Sequence, residues 1–202
     1  MQNEIEESAY TIIHEIFHAL GVTTSFRADF DKETDKYFSE IFPRDQYEIV
    51  FCNDGSTDGC ADIVKSLNLP SSKVIRYEQN RGKGYAVRKA MSESRGDLCF
   101  FTDADLAYGT EVIVKFAEAF EKNPDAELFL GSRNIGDEGY KAYPFVRRVA
   151  SKIYIRVLNL AGGFRISDSQ CGCKAFTRKA VDNIFPKCEV DRFAFDYEII
   201  LF

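Results

Sequence analysis

The amino-acid sequence predicts an α/β fold with a mainly parallel sheet flanked by helices. From about residue 34 onward, short runs of β-branched and aromatic residues alternate with helix-like stretches of about 8–15 residues. Strands that are separated by helices are typical of βαβ units, whose strands are parallel. The chain has 202 residues, 45% of them hydrophobic, which is sufficient for one sizeable core.

Four strand-like runs and three helix-like stretches follow one another in this part of the chain. The runs are YEIVFC at 47–52, KVIRY at 73–77, DLCFF at 97–101 and ELFLGSR at 127–133. The helix-like stretches cover residues 60–67, 85–94 and 111–122. Turn-rich sequences, NDGSTDG after the first run and NRGKG after the second, mark the ends of strands.

Charged side chains follow the strands at the points where the strands end. Asp54 follows the first run, Asp103 and Asp105 follow the third, and Arg133 follows the fourth. Because ligands of parallel sheets bind outside the carboxyl ends of the strands, we expect these four side chains to share one edge. The two carboxylates of D-A-D are hard oxygen ligands, which suit Mg²⁺ or Mn²⁺ shared with substrate phosphates.

Two further features near this edge suit a nucleotide. The RGKG sequence opens a helix, where backbone N–H groups and the cations of Arg81 and Lys83 could hold phosphate oxygens. It is not a Walker loop, because no G-x-x-x-x-G-K-[ST] pattern is present. Asp54 could accept hydrogen bonds from a base or ribose; the alternative is that it makes an Asx-type turn with the residues that follow it.

The N-terminal sequence HEIFHALG has the H-E-x-x-H pattern of a zinc-binding helix. On a helix, His14 and His18 share one face, and Glu15 lies beside them as a general base. Residues 10–30 resemble the active-site helix of leishmanolysin-type metallopeptidases. A catalytic zinc needs three protein ligands, but the chain has only two histidines, and Thr24 stands where the metzincin pattern places a third. The alternative is an amphipathic helix with one apolar side.

Composition excludes several other classes of protein. The net charge of −6 gives no electrostatic reason to expect a nucleic-acid partner. No apolar run approaches the roughly 18 residues of a membrane span, and the acidic start lacks the features of a signal peptide. The six cysteines form no C-x-x-C pair, which favours reduced thiols over a disulfide framework.

A series of motifs resembles glycosyltransferase family 2. In chain order the motifs are DGSTDG, NRGKGYAVRKAM, DADL, GSR, DSQCGCKAF and FAFDYE. The branch that they resemble contains the dolichyl-phosphate β-glucosyltransferases and their bacterial polyprenyl-phosphate relatives, and the resemblance covers residues 36–202. It implies a GT-A fold, which is a Rossmann-like sheet that binds a nucleotide sugar and a divalent metal, here Mg²⁺ or Mn²⁺.

The resemblance also implies roles for residues on the donor side. Nucleotide-sugar binding falls to Asp54, Ser56, Arg81, Lys83 and Asp103. Among these, Asp54 would contact the nucleoside, and Asp103 would contact the ribose and diphosphate, while Asp105 would bind the metal. UDP-glucose is the first candidate donor, because Ala107 follows DADL where the mannosyl branch usually has Gln. GDP-mannose or another UDP-sugar is the next.

On the acceptor side, the resemblance places a polyprenyl or dolichyl phosphate against Arg133, Arg147 and Ser151. Asp168 and Gln170 would line the reaction centre, and with Asp105 they form the expected catalytic set. A phosphate monoester, with its second pKa of about 6, is already ionised at neutral pH and needs cationic positioning more than a general base. We therefore expect one displacement with inversion. The lipid acceptor that the resemblance implies places the reaction at the cytosolic surface of a membrane (the endoplasmic reticulum in a eukaryote).

The sequence departs from the family at both ends. The expected apolar first strand with its P-x-Y-N-E loop is apparently missing, as is the C-terminal part, although YTIIH at 10–14 could supply the strand. We therefore divide the chain into an N-terminal segment, 1–33, and a truncated GT-A domain, 34–202. The alternatives to an active transferase are a zinc-metallopeptidase fragment and an inactive glycosyltransferase remnant.

Overall fold

The computed structural model of the chain describes residues 10–16, 46–103, 111–132 and 171–202, with single positions at 156, 160, 163 and 168. Within these ranges six strands form one sheet, namely β1 Tyr10–Ile16, β2 Tyr47–Asp54, β3 Ser72–Tyr77, β4 Leu98–Asp103, β5 Leu128–Leu130 and β6 Cys173–Thr177. The helices of the same ranges are α1 Cys60–Ser66, α2 Lys83–Glu93, α3 Glu111–Lys122, α4 Arg178–Ile184 and α5 Phe195–Leu201, with a 3₁₀ turn at Phe185–Lys187.

The strand order is β3-β2-β1-β4-β6-β5. The pairs β3–β2, β2–β1 and β1–β4 are parallel, whereas β6 runs antiparallel to both of its neighbours. The prediction of a mainly parallel α/β sheet is therefore confirmed. The four predicted strands are present, and β6, inside the DSQCGCKAF motif, is a strand that the sequence analysis did not identify.

The inner position of the sheet is filled by β1, which pairs with β2 on one side and β4 on the other. Tyr10 pairs with Tyr47 and with Leu98. YTIIH thus supplies the strand that the family pattern requires, and the segment assigned to 1–33 contributes to the sheet. The boundary near residue 33 stays a prediction.

The predicted zinc helix is wrong for His14 and Glu15. Both residues lie in β1, where pairing with two neighbouring strands satisfies the backbone in an extended conformation. A strand also removes the i, i+4 geometry on which the zinc pattern depends. His18 lies outside the described residues.

The sheet is covered on both faces, as parallel sheets usually are. Along β2, Ile49 and Phe51 belong to one buried cluster with the α1 and α3 side chains, whereas Val50 and Cys52 belong to a second cluster with α2, α4 and α5. This alternation is the period-2 pattern of a strand. Burying one such large apolar side chain stabilises the fold by about 1.5–3 kcal/mol.

The helix α3 shows how sequence pattern gives packing. Its buried residues Ile113, Phe116, Ala117 and Phe120 recur at helical spacing, and the helix has the bounds that the sequence predicts. The Phe120 and Phe129 rings, 4.7 Å apart and nearly perpendicular, join this helix to β5.

Two predictions of composition are also answered. None of the six cysteines forms a disulfide, and all six are buried. Among the helices that the described ranges contain, none has the length and apolar character to span a bilayer.

Candidate functional site

The strands β2 and β4 end at Asp54 and Asp103, on the same edge of the sheet. This follows from their parallel pairing with β1, in which Glu15 pairs with Asp103 and Ile16 pairs with Asn53. We call this edge, at which the parallel strands end, the carboxyl edge. The predicted convergence is confirmed for Asp54 and Asp103.

Asp54 holds the loop that precedes α2. Its side chain is buried, with 2% exposure, and its two carboxylate oxygens accept from the backbone N–H groups of Arg81 and Gly82, both at 2.8 Å. Its carbonyl oxygen accepts from the Asn80 side-chain amide at 3.0 Å. A carboxylate that accepts two backbone N–H bonds is strongly anchored, so Asp54 fixes the start of the RGKG sequence.

The Asx-type contact considered for Asp54 is made instead by its neighbour Asn53. The Asn53 side-chain oxygen accepts from the Ser56 backbone N–H at 2.8 Å, and its amide donates to the Cys60 sulfur at 3.1 Å. Gly55 has φ +73°, and a Cβ there would lie 2.5 Å from the Asn80 nitrogen. The loops after β2 and β3 therefore pack so closely that only glycine fits between them.

Arg81 is positioned on the solvent side of the same loop. Its guanidinium lies 3.8 Å from the centre of the Tyr85 ring, and it reaches Asp191 at 3.4 Å. Arg88 pairs with the other oxygen of Asp191. Gly82, with φ +104°, fits where a Cβ would lie 2.6 Å from the Asp191 carbonyl oxygen. The segment before α5 thus packs against the RGKG sequence through Asp191 and restrains it.

Lys83, the first residue of α2, forms an ion pair with Asp103. The two side chains are 10% and 27% exposed, so the pair lies at the border between the core and the carboxyl edge. The Lys83 ammonium also lies 5.1 Å from the Phe101 ring centre, a cation–π distance. The structure thus has the predicted cation at the helix start, whereas its pairing with Asp103 was not predicted, and the diphosphate site stays a prediction.

Gly172 lies directly against Asp103. The Asp103 backbone N–H donates to the Gly172 carbonyl at 3.1 Å, and a Cβ on Gly172 would lie 1.8 Å from an Asp103 carboxylate oxygen. Any side chain at position 172 would therefore displace the carboxylate. Gly172 belongs to the DSQCGCKAF motif, but its contact with Asp103 was not predicted from the sequence.

A second ion pair lies beneath this contact, and the sequence analysis missed it. Lys174 in β6 has no exposed surface, and its ammonium pairs with Asp196 of α5 and donates to the Cys171 carbonyl at 2.6 Å. Burial raises the pKa of Asp196, and the facing Lys174 opposes that rise. The available signal was a lysine inside an apolar strand-like run, since a buried lysine needs a partner.

The other predicted site residues divide into two groups. Asp168 is described and buried, with 3% exposure. Outside the described residues lie Asp105, Gln170, Arg133, Arg147, Ser151 and His18.

The residues at the end of β4 fit a divalent cation by their chemistry. Asp103 supplies a partly exposed carboxylate at the carboxyl edge, which is the hard oxygen donor that Mg²⁺ and Mn²⁺ prefer. No group of three or more His, Cys, Asp or Glu side chains that could hold a metal occurs within the described part of the chain.

Comparison with known proteins agrees with this geometry. Residues 33–185 match the model of the family described as Glycosyl transferase family 2. A dolichyl-phosphate β-glucosyltransferase of Dictyostelium discoideum is 35% identical over 182 residues, covering 82% of this chain and 54% of that protein. The Saccharomyces cerevisiae dolichyl-phosphate β-glucosyltransferase is 32% identical, covering 77% of this chain and 52% of that protein. This chain spans about half the length of the curated relatives it matches.

Among solved structures, the glucosyl-3-phosphoglycerate synthase of Mycobacterium tuberculosis in complex with Mn²⁺, UDP-glucose and phosphoglyceric acid has the same fold. The TM-score is 0.64 at 14% identity, and the match covers 96% of this chain and 64% of that one. At this identity the likeness concerns the fold alone, which is GT-A.

Proposed function

Since this chain belongs to glycosyl transferase family 2, we propose that it transfers a hexose from a nucleotide sugar to a polyprenyl or dolichyl phosphate, with inversion. The observation that supports this most directly is that the loop before α2 and the end of β4 are both held in place at the carboxyl edge. Asp54 fixes the loop before α2, and Lys83 lies beside Asp103 at the end of β4. A helix start that is held in place, with a cation next to an acid, suits a sugar diphosphate.

On the donor side, the nucleoside lies along the loops after β2 and β3. As the family motif implies, Asp54 and Ser56 serve the nucleoside; because the Asp54 carboxylate is buried and bonded to backbone N–H groups, its part is to hold the loop beside the nucleoside. Arg81 and Lys83 attract the diphosphate. Asp103 serves the ribose and diphosphate, as the family motif implies. The Tyr85 ring restrains the Arg81 guanidinium at 3.8 Å, so that less conformational entropy is lost when the guanidinium meets an anion.

Asp105, the second acid of D-A-D, is the proposed ligand of a divalent cation and stands two residues after Asp103 in the sequence. When bound, Mg²⁺ or Mn²⁺ would neutralise charge on the diphosphate as the diphosphate leaves. The M. tuberculosis structure of the same fold is a complex with Mn²⁺ and UDP-glucose. A divalent cation is therefore expected here, without a choice between the two.

The acceptor phosphate attacks the anomeric carbon with one of its own oxygens. The new bond joins this oxygen to the anomeric carbon, while the bond to the departing diphosphate breaks and the electron pair leaves with the nucleotide. Arg133, Arg147 and Ser151 hold the acceptor phosphate, and Asp168 and Gln170 line the reaction centre. The chain positions reactants more than it moves protons, because the phosphate is already ionised.

Glucose, from UDP-glucose, is the proposed sugar. The Dictyostelium and yeast relatives are dolichyl-phosphate β-glucosyltransferases, and Ala107 follows DADL. A lipid-linked acceptor places the reaction at a membrane surface, for which we propose the cytosolic face. With His14 in a strand, a peptidase is not among the proposals.

The test is transfer of labelled glucose from UDP-glucose to dolichyl phosphate by the purified chain, with Mn²⁺ or Mg²⁺. We expect a β-linked product, with activity at least about 100-fold lower in Asp105→Ala because the proposed metal ligand is lost. Asp125→Ala, at an exposed acid after α3, is the matched control and keeps full activity. Product formation that Asp105→Ala does not reduce, or an α-linked product, contradicts the proposal; absence of transfer indicates an inactive remnant.

A further inference from the structure

The ion pair between Lys174 and Asp196 is the most deeply buried charge pair of the described residues. The Lys174 side chain has no exposure and that of Asp196 has 9%. The Lys174 ammonium lies 5.9 Å from the Phe101 ring centre and 6.0 Å from that of Phe195, so apolar rings surround it. An ion pair in such surroundings often stabilises a fold no more than apolar side chains of the same size would. A role other than stability therefore has to be considered.

The pair holds a short piece of backbone. Besides Asp196, the Lys174 ammonium binds the Cys171 carbonyl at 2.6 Å, and so fixes the chain just before Gly172. The Gly172 carbonyl accepts from the Asp103 N–H at 3.1 Å. On the other side, the Gly131 N–H donates to the Cys173 carbonyl at 2.9 Å. These contacts of residues 171–173 thus restrain the backbone at the point where Gly172 contacts Asp103.

The same pair is electrostatically linked to the carboxyl edge. Lys83 pairs with Asp103 and lies 6.0 Å from the Phe195 ring, which Lys174 also approaches. The charges of Lys83 and Asp103 both act on Asp196, in opposite directions. Two acids and two lysines therefore form a nearly neutral group around two aromatic rings, with the Asp103 end open to the edge.

We infer that Lys174 and Asp196 are a positioning pair, which holds the Cys171–Gly172 backbone against Asp103 and so places that carboxylate for the donor. The inference rests on the proposed function for the use of Asp103, but the placement itself is a property of the fold. Neither residue reaches the edge, so the pair acts through the 171–173 backbone. Loss of the pair lets Asp103 shift, and a shift of about 1 Å at a reaction centre can lower turnover about 100-fold.

The experiment compares the wild-type chain with Lys174→Met/Asp196→Asn, which removes both charges and leaves side chains close in size. Lys174→Met alone leaves a buried unpaired acid and is expected to fold poorly, so the double variant is the informative one. The matched control is Arg178→Met. Arg178 also donates to carbonyls, those of Ser94 and Gly96, but at the opposite end of β4.

The first readout is amide hydrogen exchange in the folded chains, which does not depend on catalysis. We expect the Asp103 amide to exchange about tenfold faster or more in the double variant, because its acceptor, the Gly172 carbonyl, follows the Cys171 carbonyl that Lys174 no longer anchors. The Ala86 amide, bonded to the Gly82 carbonyl at 3.1 Å, is expected to keep its rate. Arg178→Met is expected to leave the Asp103 amide unchanged. Unchanged exchange at Asp103 in the double variant overturns the inference.

The second readout is steady-state transfer. We expect kcat of the folded double variant to fall about tenfold or more and KM for UDP-glucose to rise, because the displaced Asp103 is the proposed contact of the donor's ribose and diphosphate. Arg178→Met is expected to keep kcat. Wild-type kcat in the double variant, or an equal loss in Arg178→Met, overturns the inference. If even the wild type transfers no sugar, the proposed function fails, whereas exchange at Asp103 still decides the inference.

Discussion

Asp54 and Lys174 are both buried beneath the carboxyl edge, but they hold it in different ways. Asp54 accepts from two backbone N–H groups, so a side chain orders a loop. Lys174 binds another side chain and one carbonyl, so a side-chain pair orders a strand entry. The first anchor lies next to the loop that it serves, and the second acts through Gly172. Loss of the Asp54 carboxylate would release only the loop that it holds. Loss of either member of the buried ion pair would also leave the other member without its counter-charge.

The largest expected effect is at Asp54. Asp54→Ala leaves the N–H groups of Arg81 and Gly82 without their acceptor in a buried place, which lowers the free energy of unfolding by about 2–4 kcal/mol. Affinity for UDP falls by about tenfold or more, because the RGKG loop is no longer fixed. Chemical denaturation and calorimetric titration with UDP measure the two effects. Asp54→Asn keeps one acceptor oxygen and is expected to lie between; an Asn variant no better than Ala would contradict this account.

A smaller effect is expected at Gly172, on the other anchor. Gly172→Ala places a Cβ where the Asp103 carboxylate lies, and overpacking of this kind costs about 1–3 kcal/mol and displaces the acid. The control is Gly59→Ala. Gly59 has φ +80°, and a Cβ added there would meet no atom within 4 Å, so alanine costs about 1 kcal/mol through backbone strain alone.

Thermal unfolding and kcat separate the two alanine variants. Both are expected to be destabilised, but only Gly172→Ala lowers kcat. Equal kcat values in the two would show that Asp103 tolerates displacement, and would remove Gly172 from the site.

The smallest effect is expected at an exposed ion pair, which sharpens the contrast with the buried one. Hydrogen bonds from Lys73, which has the larger effect, and from Lys89 lower the pKa of Glu93 from its ordinary 4.5 to about 2. Because the folded pKa is the lower one, the contribution is present above about pH 4.5 and is lost as the pH falls toward 2. As the pH falls across this window, Tm of Glu93→Gln is expected to fall less than Tm of the wild type. About 1 M salt is expected to abolish this difference between the two chains. A difference that persists in salt would argue against an exposed ion pair.

Much of the fold was predictable because strands and helices alternate in sequence. The apolar spacing of α3 and the runs that became β2, β3 and β4 depend on local periodicity, which the chain shows directly. The N-terminus was not predictable in the same way. The H-E-x-x-H pattern favours a helix locally, but the gap between β2 and β4 is filled by pairing on two sides, and pairing outweighs propensity.

The candidate site was likewise predictable from the sequence only in part. The position of Asp54 and Asp103 at strand ends followed from sequence and topology, because parallel strands end at one edge. Lys174 and Asp196 are 22 residues apart, and Lys83 and Asp103 are 20 apart. Which lysine pairs with which acid depends on strand order and helix placement, not on spacing. The sequence alone therefore determined the family, the strands β2 to β5 and the acids Asp54 and Asp103 at the strand ends. The tertiary structure decided the places of β1 and β6 and the partner of each charge, since buried charges are matched only where distant segments meet.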